Sequence, residues 1–194
     1  MARVRPKSPS WDDLFDLAVG QDGLFSTAQA AEAGYSPQLL QKHLRAGRVR
    51  RVRRGVYRLV HFPPGEHEDL AAVWLWSGRA GVFSHETALS LHGLSDVLPA
   101  RVHLTVPPDW SRRRLRVPES VVLAYADVPK EDRTWMGPVQ ATAVRRTLVD
   151  CLVAGVAPDL VRQAIEQAAD RGLVSRAELA RLIRPGRAAA GRAS

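Results

Sequence analysis

The stretch from Lys42 to Arg58, KHLRAGRVRRVRRGVYR, holds eight Lys or Arg and no acid, and no Asp or Glu stands between Glu32 and Glu66. The chain of 194 residues carries 28 Lys and Arg against 20 Asp and Glu, a net charge of +8. This one segment therefore matches the whole excess. Cations gathered so tightly neutralise a polyanion, and the phosphates of a nucleic acid are the expected target. A uniformly basic surface would point instead to solubility or to loose attraction to a membrane.

The other reactive residue types give weaker patterns. Arg112, Arg113, Arg114 and Arg116 follow Pro107-Pro108 and form a second cationic run, expected as a solvated loop or an auxiliary patch for phosphate or an acidic protein. His85-Glu86 with His92 suggests a metal, but the zinc-protease spacing needs His at 89, where Leu89 stands. Positions 85 and 92 share a helical side without a third ligand, so no metal site is expected. Cys151, the single cysteine, lies in the apolar run TLVDCLVAG and reads as a small buried hydrophobe. Glu166 and Asp170 lie one turn apart with no further acid to complete a nuclease metal site. The glycines are scattered at helix ends rather than gathered in a phosphate loop. Neither catalytic residues nor a cofactor are expected, and the chain does not read as an enzyme.

The basic segment needs elements to aim it. Ser10 can cap a helix over WDDLFDLAV, with Asp12 and Asp13 near its positive end and Trp11, Leu14, Leu17 and Ala18 on one apolar side. Ser26 and Gln29 make a capping-box pattern ahead of AQAAEA, and Gly34 suits the left-handed position after it. Ser36-Pro37 opens the next helix, roughly residues 37–46, which closes at Gly47. Two helices about three residues apart have helix-turn-helix spacing. At about 100° per residue, Leu39, Leu40, His43 and Leu44 face one way, while Gln38, Gln41, Lys42 and Arg45 face the other. The first set suits a core. The second suits a major groove, where Gln bonds adenine edges and Arg or Lys bonds guanine or phosphate. Val49–Arg53 and Val56–Val60 read as strands turning at Arg53-Arg54-Gly55. A basic hairpin behind such a helix pair is a winged helix. Its expected DNA contacts are Ser36, Gln38, Gln41, Lys42, Arg45, Arg48, Arg50, Arg51, Arg53, Arg54 and Arg58, with Tyr57 and Leu59 packing back on the helices.

His61-Phe62-Pro63-Pro64-Gly65 punctuates the chain as a linker would. The expected organisation is a winged-helix DNA-binding domain over 8–61, a mixed α/β domain over 66–184, and a disordered tail over 185–194. In the second domain, helices are expected over 66–77, 142–152, 158–171 and 175–183, with one capped by Ser84 and closing at Gly93. Strands are expected over 102–106 and 120–125, and a short one over 135–139. The fold class is α+β, with a helical C-terminal part. Hydrophobic content of 45% and charged content of 25% suit a globular protein. No apolar run approaches the roughly 18–20 residues of a membrane helix, and no apolar stretch follows the basic N-terminus as in a secretory signal. A cytoplasmic, nucleoid-associated protein without membrane contact is expected.

The stretch LFSTAQAAEAGYSPQLLQKHLRAGRVRRVRRGVYRLV resembles the winged-helix domain of AbiEi-type antitoxins from bacterial type IV toxin–antitoxin systems. FSHETALSLHGL, HLTVP and ATAVRRTLVD follow in serial order, so the resemblance spans roughly residues 24–183. It implies a transcriptional regulator that binds and represses its own operator through its first domain. It also implies that the second domain neutralises a nucleotidyltransferase-like toxin. The DNA role carries over to Lys42, Arg45, Arg48, Arg50, Arg51, Arg53 and Arg54; no toxin-neutralising residue carries over. Similar segments also precede a repair-type nuclease domain; none is expected here, so that activity is not implied. The partners expected are double-stranded DNA and such a toxin. The alternatives are a stand-alone DNA-binding or protein-interaction adaptor, and a nuclease-family fragment without its catalytic domain.

Overall fold

The computed structural model describes residues 8–175, 177 and 178. The expected tail at 185–194 and most of the helix expected over 175–183 lie outside these residues. The architecture is α+β, and the described chain falls into two compact units divided after Gly81, with Trp135–Gln140 grouped with the first.

The first unit begins α1 (Trp11–Val19), β1 (Leu24–Ser26), α2 (Thr27–Glu32), α3 (Pro37–Arg45), β2 (Val49–Arg53), β3 (Val56–Leu59) and α4 (Glu68–Trp76). Its sheet has the order β1-β3-β2, with both pairings antiparallel. Helix, strand, two helices and a hairpin follow in the order expected of a winged helix. The helix starts follow local chemistry. The Ser10 hydroxyl accepts the Asp13 N–H at 3.1 Å. Ser26 and Gln29 exchange bonds as a complete capping box, at 3.2 and 2.9 Å. The Ser36 hydroxyl accepts the Leu39 N–H, with Pro37 at the first helical position. Leu14, Ala18, Phe25, Tyr35, Leu40, Val49 and Leu59 belong to the core these elements enclose.

Strand β1 was not expected. Three residues are too few to show alternation, yet Leu24–Ser26 complete the sheet by pairing with Val56–Arg58. The linker expectation also differs from the structure. Phe62 packs on the winged-helix core, the Gly65 backbone lies against the Asp22 carboxylate where any Cβ would clash, and α4 belongs to the same compact unit. The proline-rich segment is thus folded onto the unit, and the division falls sixteen residues later than the linker's end, at Gly81 rather than Gly65.

The second unit is built on β4 (Val82–Phe83), α5 (His85–Leu91), β5 (Val102–Val106), β6 (Val121–Tyr125), α6 (Val144–Val153) and α7 (Pro158–Asp170). The strands β4, β5 and β6 with β7 (Arg133–Met136) and β8 (Val139–Thr142) form a sheet of order β6-β5-β4-β8-β7. β5 runs parallel to β6 and antiparallel to β4, and β4 runs parallel to β8. Leu89, Leu94, Leu148, Cys151, Val161 and Ala164 pack in the core of α5, α6 and α7. The single strand expected over 135–139 is two strands, broken at Gly137 with φ +57°. Thr142 ends β8 instead of starting α6, and Ser84 occupies the N-cap of α5 without capping it. The Ser84 hydroxyl accepts instead from Thr105 Oγ1 at 2.8 Å. Further on, Ser175 and Glu178 exchange the expected capping bonds, 2.8 Å from the Ser175 N–H to the carboxylate and 3.2 Å from the Glu178 N–H to the hydroxyl.

Candidate nucleic-acid interface

Helix α3 partitions as its periodicity requires. Gln38, Gln41, Lys42 and Arg45 are exposed, Leu40 is buried, and Leu39, His43 and Leu44 are half-buried. The His43 ring stacks on Trp11 with centroids 5.2 Å apart and meets the edge of Tyr35 at 5.4 Å. Burial, aided by the charges of Arg48 and Lys42, lowers its pKa, so the ring packs neutral. These aromatic contacts fix the rotation of α3 and turn its polar side outward. Ser36 is exposed, although its oxygen is engaged by the helix start.

The wing follows at once. In the β2–β3 ladder Val49 faces Leu59 and Arg51 faces Tyr57, while Arg50 faces Arg58. Because side chains alternate across a strand, Val49, Arg51, Tyr57 and Leu59 share the face that packs on the helices. Arg50 and Arg58 share the other. A bulge between Arg51 and Arg53 shifts the register before the turn, and bulges re-aim the side chains beyond them. Gly55 turns at φ +77°, and its carbonyl accepts the Thr27 N–H at 2.9 Å, which ties the wing tip to the start of α2. Arg48, Arg51 and Arg54 are exposed, and Arg53 is half-buried.

Arg58 is a correction to the expected contact list. It is 6% exposed, its Nε lies 3.1 Å from Glu68 Oε1, and its Nη2 donates to the Phe62 carbonyl at 2.8 Å. Arg50 shares the same carboxylate oxygen at 3.1 Å while staying largely exposed. Helix α4 packs against the β1-β3-β2 sheet, and its Glu68 supplies the acid that the basic segment lacks. Among the described residues, six cations of the basic segment face solvent at least in part without an acidic partner: Lys42, Arg45, Arg48, Arg51, Arg53 and Arg54.

The second basic run lies in the other unit. Arg112, Arg113, Arg114 and Arg116 are exposed, but Arg113 is paired with Asp109 and stacked 4.8 Å over the Trp110 ring. Among the described residues, no group of three or more His, Cys, Asp or Glu is placed to hold a metal ion. His92 Nε2 lies 2.8 Å from the Thr142 carbonyl, and burial pushes the Cys151 thiol up to about 12. Sequence reasoning missed His103, which β5 brings beside His85 and Glu86. No local signal could have found it, because the approach depends on strand pairing.

An outward polar helix face thus stands beside a cationic hairpin in the first unit. Residues 12–60 match the family described as "Transcriptional regulator, AbiEi antitoxin", which supports a DNA-binding regulator role. Among solved structures, the chain is similar to the RV2827C protein from Mycobacterium tuberculosis at 19% identity, covering 92% of this chain and 72% of that one with a TM-score of 0.48. No curated protein matches. Among the described residues, no helix is long and apolar enough to cross a membrane.

Proposed function

We propose that the protein is a sequence-specific transcriptional regulator that represses its own operon as the antitoxin of a type IV toxin–antitoxin pair. The observation that carries the reading is the set of six cations without acidic partners on α3, its C-terminal turn and the wing. Gln38, Gln41 and Arg45 read base edges in the major groove. Ser36, Lys42, Arg48, Arg51, Arg53 and Arg54 grip the backbone or the adjacent minor groove. Arg50 stays at the margin, tethered to Glu68, and Arg58 is withdrawn from the contact set. The residues beyond the winged helix, 66–184, supply the surface that meets a nucleotidyltransferase-like toxin, and Arg112, Arg114 and Arg116 offer it an auxiliary cationic patch. The action is cytoplasmic, at the nucleoid, and involves binding rather than catalysis. The family described for residues 12–60 supports both the regulatory and the antitoxin parts.

The deciding experiment titrates the protein against the DNA upstream of its own gene and against a scrambled duplex, over a salt series. Selective binding to the upstream DNA establishes the autoregulator. Equal, weak binding to both duplexes would refute sequence-specific regulation.

A further inference from the structure

In the second unit, α5, β5, β6 and the loop between α6 and α7 line an open cleft of about 460 Å³, within the roughly 300–1,000 Å³ of small-ligand sites. Its polar groups are His85, Glu86 and His103, and its remaining walls are small or apolar, among them Val122, Ala124 and Val156. Among the described residues, no Lys or Arg lines it.

The polar groups are held in place. His85 carries φ +51°, a left-handed backbone uncommon for any residue with a side chain. Its Nδ1 lies 2.9 Å from Ser84 Oγ, which in turn accepts from Thr105 Oγ1 at 2.8 Å. Ser84 and Thr105 are both buried. With the Thr105 proton spent on Ser84, the Ser84 proton finds its acceptor in Nδ1, which places the ring proton on Nε2. Burial, the largest influence on His85, lowers its pKa. The charges of His103 and Arg146 act the same way, while those of Asp150 and Glu86 oppose them. The result is one neutral N–H donor. The His103 backbone N–H donates to Thr87 Oγ1 at 2.8 Å and anchors β5 to α5. The His103 Nδ1 is buried without a hydrogen bond and stands 3.6 Å from Glu86 Oε2, beyond hydrogen-bond reach. The Glu86 carboxylate thus keeps its acceptor capacity.

We propose that this cleft binds a guanine-type base, a planar heterocycle offering two adjacent N–H donors beside a carbonyl. The Glu86 carboxylate accepts from the ring N–H and the neighbouring amino group, His85 Nε2–H donates to the carbonyl, and Val122, Ala124 and Val156 cover the ring faces. An adenine edge would set a ring lone pair against the carboxylate. A free anion would meet Glu86 with no Arg or Lys among the lining residues to offset it. The cleft is lined by residues of the second unit alone, so its failure would leave the regulatory reading untouched.

The test follows the ring Cε1–H resonances of the six histidines in the full chain, assigned by single substitutions, during titration with guanosine, inosine and adenosine. Guanosine is expected to move the His85 and His103 signals saturably and to leave His43, in the other unit, unmoved. Inosine, lacking the amino group, should bind about tenfold more weakly, and adenosine should give no saturable shift. Glu86→Gln should weaken guanosine at least about tenfold, while an unchanged His92 signal reports an intact fold. The idea is overturned if guanosine gives no saturable shift, if adenosine binds as well, or if Glu86→Gln binds guanosine unchanged. The nucleoside comparison needs no variant, so a misfolded Glu86→Gln protein would not rescue the idea.

Discussion

The arginines of the basic segment differ by what stands behind them. Arg45 leaves α3 on its outward side without an acidic partner among the described residues, so its loss should be felt where DNA sequence is read. Arg45→Ala is expected to cost about 1–3 kcal/mol on the operator and much less on random DNA, measured by competition between the two duplexes. Equal losses on both would make it a phosphate contact. Arg58 lies inward, with its side chain 8% exposed against Glu68 at 18%. Removing Glu68 would leave that guanidinium with the Phe62 carbonyl as its remaining anchor. Glu68→Ala should therefore destabilise the protein by about 2–3 kcal/mol in urea unfolding. Arg50→Ala should change stability by less than about 0.5 kcal/mol, because that arm of the same pair faces solvent. If both substitutions cost the same, Glu68 is not bracing a buried arginine. The charge of Arg58 was plain in the sequence; its burial was not, because its partner comes from a helix beyond the expected linker.

At the scale of elements, the wing is a hairpin that holds three arginines clear of acid while α4 ties up two others. Binding that engages the six cations without acidic partners should give a slope of log K against log salt of about −5, whereas engagement of all eight would give about −7. A slope near the steeper value would show Arg50 and Arg58 leaving Glu68 on binding. Gly55 turns the wing at φ +77°, so Gly55→Ala should cost about 1 kcal/mol or more in stability and weaken binding to all duplexes. Unchanged affinity would remove the wing from the interface. The elements differ in how far sequence exposes them. Helix starts such as Ser26-x-x-Gln29 and Ser36-Pro37 are written in local chemistry and were readable to within a residue or two. β1 and β4 have three and two residues, too short for any period to show. The parallel partnership of β5 with β6 and the approach of His103 to Glu86 depend on which strands meet, and that choice is settled by the whole core.

Across the whole molecule, His43, His85 and His92 couple stability to pH in both units. His43 in the first unit is held below its ordinary 6.5 by burial and then by Arg48 and Lys42. In the second, burial lowers both His85 and His92; a bond to the Thr142 carbonyl opposes it at His92, and Arg171 adds to it. A histidine whose pKa is lower in the fold takes up its proton more readily once unfolded. Each such group thus gives its full contribution above about pH 6.5, the unfolded value, and loses it as pH falls through that value toward the depressed folded one. Melting temperature should fall as pH drops from about 7.5 to about 5.5, with net proton uptake on unfolding. His43→Phe keeps a ring against Trp11 and removes the titrating nitrogen, so it should flatten part of that decline. A variant melting curve with undiminished pH dependence would assign the effect to His85 and His92. A melting temperature that rises on acidification would show that the native histidines bind protons more tightly than the unfolded chain, against the burial seen for all three.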